Sequence, residues 1–181
     1  MILERPLESR RLLLRTLTAA DADGLYLRWM NDPTITKYLE SRYQAHGRGD
    51  LEAFITGCND RADTLLCGIV TRDDNRHIGN IKIGPLDARH KIGDIGIVIG
   101  DPACWGKGYA SEAIGALVDH AFGVLNLHKV TAGCYASNIG SLKAFLAQGF
   151  TQEGLRRQHY WSDGQWEDAV MMGRLNQGFA G

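Results

Sequence analysis

Apolar and polar positions alternate, or β-rich residues run together, over Arg11 to Thr16, Thr64 to Arg72, His77 to Gly84, Asp94 to Ile99, Lys129 to Tyr135, Phe150 to Trp161 and Trp166 to Leu175, and these runs predict strands. Helical spacing fills several of the gaps. After Thr18, which can cap with Asp21, residues Ala22, Leu25, Tyr26 and Trp29 share one face until Asp32-Pro33 stops the run. Leu51 to Cys58 reads as a shorter helix. The strongest pattern is Ala110, Ala113, Ile114, Leu117, Val118, Ala121, Phe122 and Leu125, an apolar face that has to be buried against a sheet. Leu142, Phe145 and Leu146 repeat it until Gly149 ends the helix.

The resulting order is β, α, α, β, β, β, α, β, α, β, β, with Asp163-Gly164 as a hairpin turn between the last two strands. Asp94 to Ile99, the strong helix and Lys129 to Tyr135 form a β-α-β unit long enough for a right-handed crossover between parallel strands. With 181 residues, and no linker, repeat or low-complexity segment, the pattern fits one domain over residues 1–181.

A net charge of −1 gives no global field for nucleic acid or an anionic membrane, so any anion must be bound locally. No apolar run is long enough to span a bilayer, and Glu4, Arg5, Glu8, Arg10 and Arg11 interrupt the N-terminus where a leader needs a hydrophobic core; a cytoplasmic location is expected. Cys58, Cys67, Cys104 and Cys134 show neither zinc nor disulfide spacing, and no metal is expected. They read as small core or near-surface thiols.

Candidate chemistry concentrates in Trp105-Gly106-Lys107-Gly108-Tyr109-Ala110-Ser111, between a strand and the strongest helix. A helix start offers unpaired N–H groups and a positive dipole end, and glycines let a pyrophosphate approach them. Glycines at such a turn can also be purely steric. A P-loop would need Ser or Thr after Lys107, where Gly108 stands, and a dinucleotide fingerprint would need glycine at Ser111, so neither ATP nor NAD fits.

These residues resemble the GNAT superfamily of acetyl-CoA-dependent N-acetyltransferases, most closely the branch with the ribosomal-protein N-terminal acetyltransferases. The resemblance covers nearly the whole chain, through Leu12-Leu13-Leu14-Arg15, Trp29-Met30-Asn31-Asp32-Pro33, Ile78-Gly79-Asn80-Ile81, Trp105 to Ala113, Tyr135 to Ser141, Gly149-Phe150 and Glu153-Gly154. It implies an α/β (α+β) GNAT fold, a mixed twisted sheet of about seven strands with four helices. The family's Q/R-x-x-G-x-G/A motif falls on Trp105 to Ala110, with Trp105 where the family carries Gln or Arg. The resemblance further implies that pantetheine lies between two splayed strands along Ile97, Val98 and Ile99. On the helix after the second of these, Asn138 would contact it, Ser141 would stand near the sulfur as a proton donor, and Phe145 would join the wall. Read without the resemblance, Asn138 is an ordinary helix cap.

The reaction so implied is direct attack of a primary amine on acetyl-CoA, with a base to free the amine and backbone N–H groups of Gly96 to Gly100 for the oxyanion. Asp94 and Glu40 are the candidate bases; Asp94 could instead pair with Lys91 or Arg89. Cys134 lies beside the reaction centre without a histidine at recognisable spacing, which disfavours a covalent route. His46, His77, His90 and His120 read as surface residues and His128 as a helix-end residue. His159, Tyr160, Trp161 and Trp166 read as hairpin core, or else as the border of an acceptor pocket; Arg156 and Arg157 read as solvated. Stacking faces at Trp29, Tyr38 and Tyr43 beside Asn31, Asp32 and Arg42 rank a small-molecule amine, such as a nucleotide-linked amino sugar, above a protein N-terminus. The expected partners are this amine or peptide acceptor, with a monomer or homodimer. A non-catalytic acyl-CoA-binding protein is the alternative from another class.

Overall fold

The computed structural model describes residues 1–179. Its strands are β1 (Leu7–Glu8), β2 (Leu12–Thr16), β3 (Leu65–Thr71), β4 (His77–Ile83), β5 (Ile92–Ile99), β6 (Lys129–Tyr135), β7 (Thr151–Ser162) and β8 (Gln165–Leu175). They form one mixed sheet in the order β1-β2-β3-β4-β5-β6-β8-β7. The helices are α1 (Leu25–Met30), α2 (Pro33–Thr36), α3 (Arg48–Asp60), α4 (Tyr109–Gly123) and α5 (Ile139–Leu146).

Strand periodicity sorts the core into two layers. Leu65, Cys67 and Ile69 of β3 face one side, where they join Ala113, Ile114, Leu117, Val118 and Ala121 of α4. Leu66, between them in sequence, faces the other side with Leu17, Tyr26, Trp29, Leu51 and Ile55. The apolar stripe of α4 is thus buried as its spacing requires.

The functional consequence lies between β5 and β6. They pair in parallel, but only through Ile92↔Lys129, Gly93↔Val130 and Asp94↔Thr131. Beyond Asp94, β5 keeps only β4 as its neighbour while β6 keeps only β8, so the sheet opens. Two crossover elements flank the opening, the start of α4 and the start of α5.

Four expectations change. The sheet has eight strands, because β1 is a two-residue strand too short for any periodicity to reveal. Among the described residues five α-helices replace the expected four, the added one being α2, and the first expected helix breaks at Gly24 (φ 65°) into a 3-10 turn over Ala19–Ala22 and α1. Asp32-Pro33 does more than stop α1, because the Asp32 carboxylate accepts the Thr34 N–H at 2.8 Å and caps α2. The helix read over Leu51 to Cys58 is the longer α3. By contrast the Asp163-Gly164 turn forms as read, with both residues at positive φ (50° and 82°).

Candidate active site

The glycine turn is built by conformation as much as by sequence. Gly106 and Gly108 sit at φ 70° and 79°, a region that penalises a side chain, and Gly108 is the residue from which α4 starts. A Cβ on Gly106 would meet nothing within 4 Å, so the space above the turn is open. Arg11, at the edge of β2, anchors it from outside: Nε donates to Glu112 Oε2 at 2.7 Å and Nη1 to the Lys107 carbonyl at 3.1 Å. Glu112, in the first turn of α4, also accepts the Arg11 N–H at 2.6 Å and the Ser9 hydroxyl at 2.9 Å. Burial pushes the Glu112 carboxyl up, but these donors outweigh it and hold it below its ordinary value.

From this turn a cleft of about 440 Å³ runs into the gap between the splayed strands. Ile97, Val98 and Ile99 form one wall, Asn138, Gly140 and Ser141 the other, and Trp105, Gly106, Gly108, Tyr109 and Ala110 its head. A second cavity of about 210 Å³ adjoins it, sharing Ile97, Asn138 and Ser141 and adding Glu40, Gly96, Gly133, Tyr135, Phe145 and Tyr160. The two chambers meet at the mouth of the gap. Another cleft, by Gly149, Glu153 and Arg174, shares no residue with either.

Most of the residues picked from the sequence come together here. Asn138 both caps α5, its Oδ1 accepting the Ser141 N–H at 3.1 Å, and lines the cleft. Ser141 adjoins Cys134, whose thiol is pushed up by burial and partly drawn back by a Ser141 hydrogen bond. Trp105 spends its indole N–H on the Ile99 carbonyl at 2.8 Å, so the residue standing for Gln or Arg braces the end of β5. Ser111 lies outside the lining and accepts a hydrogen bond from Gln148 Nε2 at 2.8 Å; Lys107 is exposed and also outside it.

Of the two candidate bases, Glu40 lines the second cavity and accepts a hydrogen bond from the Tyr135 phenol. Asp94 lines neither cavity. Its partner is Thr131, whose hydroxyl donates at 2.7 Å, and this replaces the expected pairing with Lys91 or Arg89. Burial pushes the Asp94 carboxyl up against that bond and the charge of Lys82.

Several side-chain expectations are corrected. Trp29 is no stacking face: it is 5% exposed, packed edge-on to His77 at 5.0 Å. Asn31 is committed to the backbone of Leu27 and His46. His77 is half-buried, within hydrogen-bond distance of Gly79 O and Asn80 Oδ1, and burial holds its imidazole below the ordinary value. Trp161 and Trp166 are not core, since they stand 52% and 58% exposed, 5.2 Å apart at the hairpin tip. Tyr160, by contrast, borders the second cavity.

Arg11 and Tyr135 give no local signal, and Arg42 reads only as part of an acceptor wall. Arg11 looked like one of several N-terminal cations. Tyr135 and Arg42 stood in quoted motifs, but their contact, with the guanidinium 5.2 Å from the ring centroid, joins segments far apart in sequence.

The sheet thus has two splayed parallel strands, with a glycine-opened helix start at one end of the gap and a polar chamber at the other. The acetyltransferase (GNAT) domain model matches residues 11–151. The chain belongs to the GNAT family and is an N-acetyltransferase. It is 30% identical over 177 residues to the uncharacterized N-acetyltransferase p20 of Bacillus licheniformis, covering 97% of this chain and 98% of that one. The spermidine N-acetyltransferase of Vibrio cholerae, in complex with CoA and spermine, superposes with a TM-score of 0.84 at 23% identity, over 94% of this chain and 99% of that one. The ribosomal-protein-S5-alanine acetyltransferase of Vibrio fischeri gives 0.82 at 18%, over 98% and 100%. These two likenesses are of fold.

Proposed function

We propose that this enzyme transfers acetyl from acetyl-CoA to the primary amine of a small molecule by direct attack. The observation that carries the reading is the junction at Ile97, Asn138 and Ser141, where a long cleft headed by a glycine turn meets a short polar chamber. Acetyl-CoA, when bound, supplies a thioester as acyl donor. The open space at Gly106 and the helix start behind Gly108 suit its pyrophosphate, with N–H groups from Gly106 to Ser111 as donors. Ile97, Val98 and Ile99 would hold the pantetheine as an added strand, with Asn138 opposite and Phe145 behind.

At the junction, Glu40 takes a proton from the ammonium group and frees its lone pair; an amine with an ordinary pKa near 10 is mostly protonated at neutral pH. Backbone N–H groups of the Gly96 to Gly100 stretch stabilise the oxyanion as the C–N bond forms. Ser141 protonates the sulfur as the C–S bond breaks. Asp94, outside both cavities, is the second candidate base and would act through water.

A chamber of about 210 Å³ receives an amine and its nearest atoms, leaving the rest of the acceptor over the exposed rings of Tyr43, Trp161 and Trp166. These rings and Tyr38 favour an amino sugar as acceptor. Relatives named spermidine N(1)-acetyltransferases, 24% identical over 162 residues in Vibrio cholerae, also favour a small-molecule amine. CoA release with amino-sugar nucleotides, polyamines and N-terminal peptides of ribosomal proteins tests the reading. Turnover on small amines supports it, and faster turnover on peptides overturns the acceptor assignment while leaving acetyl transfer intact.

A further inference from the structure

Glu40 is exposed on a 3-10 turn over Glu40–Tyr43, where a free glutamate would sample many rotamers. Among the described residues one side chain holds it, the Tyr135 phenol from the end of β6, which donates to Oε1 and leaves Oε2 uncommitted. Tyr135 is itself fixed on several sides and only 3% exposed. Tyr160 of β7 stacks on it with centroids 4.0 Å apart and planes 15° from parallel. Tyr38 packs at a tilt 5.6 Å away, and the Arg42 guanidinium lies 5.2 Å from the ring centroid. Arg42 is tied down in turn, donating to the Tyr43 hydroxyl at 2.6 Å.

We propose that Tyr135 is a positioning residue that holds the Glu40 carboxylate at the junction of the two cavities so that Oε2 receives the proton of the acceptor amine. The inference rests on the reading above in which Glu40 is the base. In the step, the ammonium N–H bond breaks, its proton goes to Oε2 and its electron pair stays on nitrogen; the phenol keeps its own proton. Burial, and then the hydrogen bond to Glu40, push the Tyr135 phenol up to about 12, so it remains a donor throughout the neutral range. A donor to a carboxylate favours the charged form. The other titratable groups here are Arg42 on the same turn, Tyr38 after α2, Cys134 on β6 and Tyr160 on β7, the last pushed up by burial and by the Glu40 charge.

The test compares the pH profiles of kcat/KM for the wild type, Glu40→Gln and Tyr135→Phe. Tyr135→Phe keeps the stacked ring and removes the donor. The acid limb of kcat/KM should move, and kcat should fall by about tenfold while the KM for acetyl-CoA holds. A purely structural tyrosine would lower Tm and leave the limb in place. Fluorotyrosine at position 135, a stronger donor in an almost unchanged shape, should move the limb the opposite way and serves if Tyr135→Phe does not fold. If Glu40→Gln keeps the wild-type pH profile, Glu40 is not the base and the positioning role falls with it. If Glu40→Gln loses the limb but Tyr135→Phe leaves it in place, the positioning role alone is overturned.

Discussion

Arg11 and Glu112 join the edge of β2 to the first turn of α4 through a 2.7 Å ion pair, with side chains 34% and 15% exposed. The same guanidinium lies 4.4 Å from the Tyr109 ring centroid and braces the glycine turn through the Lys107 carbonyl. Arg11→Ala is therefore expected to loosen the turn from outside and remove a cation beside it. Thermal unfolding should show a loss of about 1 kcal/mol, since the pair is partly solvated. Acetyl-CoA affinity should drop by about tenfold, with weaker salt dependence than wild type. A stability loss with unchanged affinity would confine Arg11 to the scaffold.

Gly100 follows β5 directly over a buried indole. An added Cβ there would lie 2.0 Å from Trp29 Cδ2, a distance that forces the ring or the strand to move. Gly100→Ala should cost about 1–3 kcal/mol in chemical denaturation, the range for overpacking. Because β5 is also the cleft wall, acetyl-CoA KM should rise as well. Stability within experimental error of wild type would show that the indole can yield.

Asp21 supplies a pH-dependent part of the stability. Burial pushes its carboxyl up, but hydrogen bonds from Arg15 and the Thr18 backbone outweigh it and hold the group at about 2, below an ordinary 3.8. A carboxylate depressed on folding stabilises the protein above its unfolded pKa and loses that contribution as pH falls through the folded one. Stability should thus decline between pH 3.8 and about 2. Asp21→Asn should lower stability by about 1–2 kcal/mol at neutral pH and remove this part of the acid slope. Parallel slopes for the two proteins would contradict it.

Ser141 is expected to act on the leaving sulfur, so Ser141→Ala should lower kcat by more than it raises the acetyl-CoA KM, the signature of an interaction made in the transition state. Its backbone N–H, which carries the cap on α5, is untouched by the substitution. Equal kcat in the variant and the wild type would leave sulfur protonation to solvent.

The parts of this fold that were legible are those whose signals are local. The alternation of Ile95, Ile97 and Ile99, and the stripe on α4 from Ala113 to Ala121, are fixed by neighbours two to four residues away, and the β-α-β unit followed from them. The glycine turn was legible for the same reason. By contrast β1 has no period, and the break at Gly24 depends on one positive φ that composition does not reveal. Trp29 offered a large ring beside polar residues, which suits either a pocket or a core; burial against Gly100 decides for the core. The cluster around Glu40 was the least legible, because its bond to Tyr135 spans 95 residues and exists only once the sheet has splayed.

Calorimetry on the wild type and Gly108→Asp tests whether acetyl-CoA lies with its pyrophosphate on the turn from Gly106 to Ser111. Gly108 has φ 79°, so aspartate there costs about 1–2 kcal/mol of backbone strain, small enough to leave the protein folded. Its Cβ would lie 3.5 Å from Arg11 Nη2, so the added carboxylate competes with the pyrophosphate for the cation beside the turn and repels it. The wild type should bind acetyl-CoA and bind ATP and NAD weakly or not at all, and the folded variant should bind none of them. Unchanged acetyl-CoA affinity in the folded variant would contradict it.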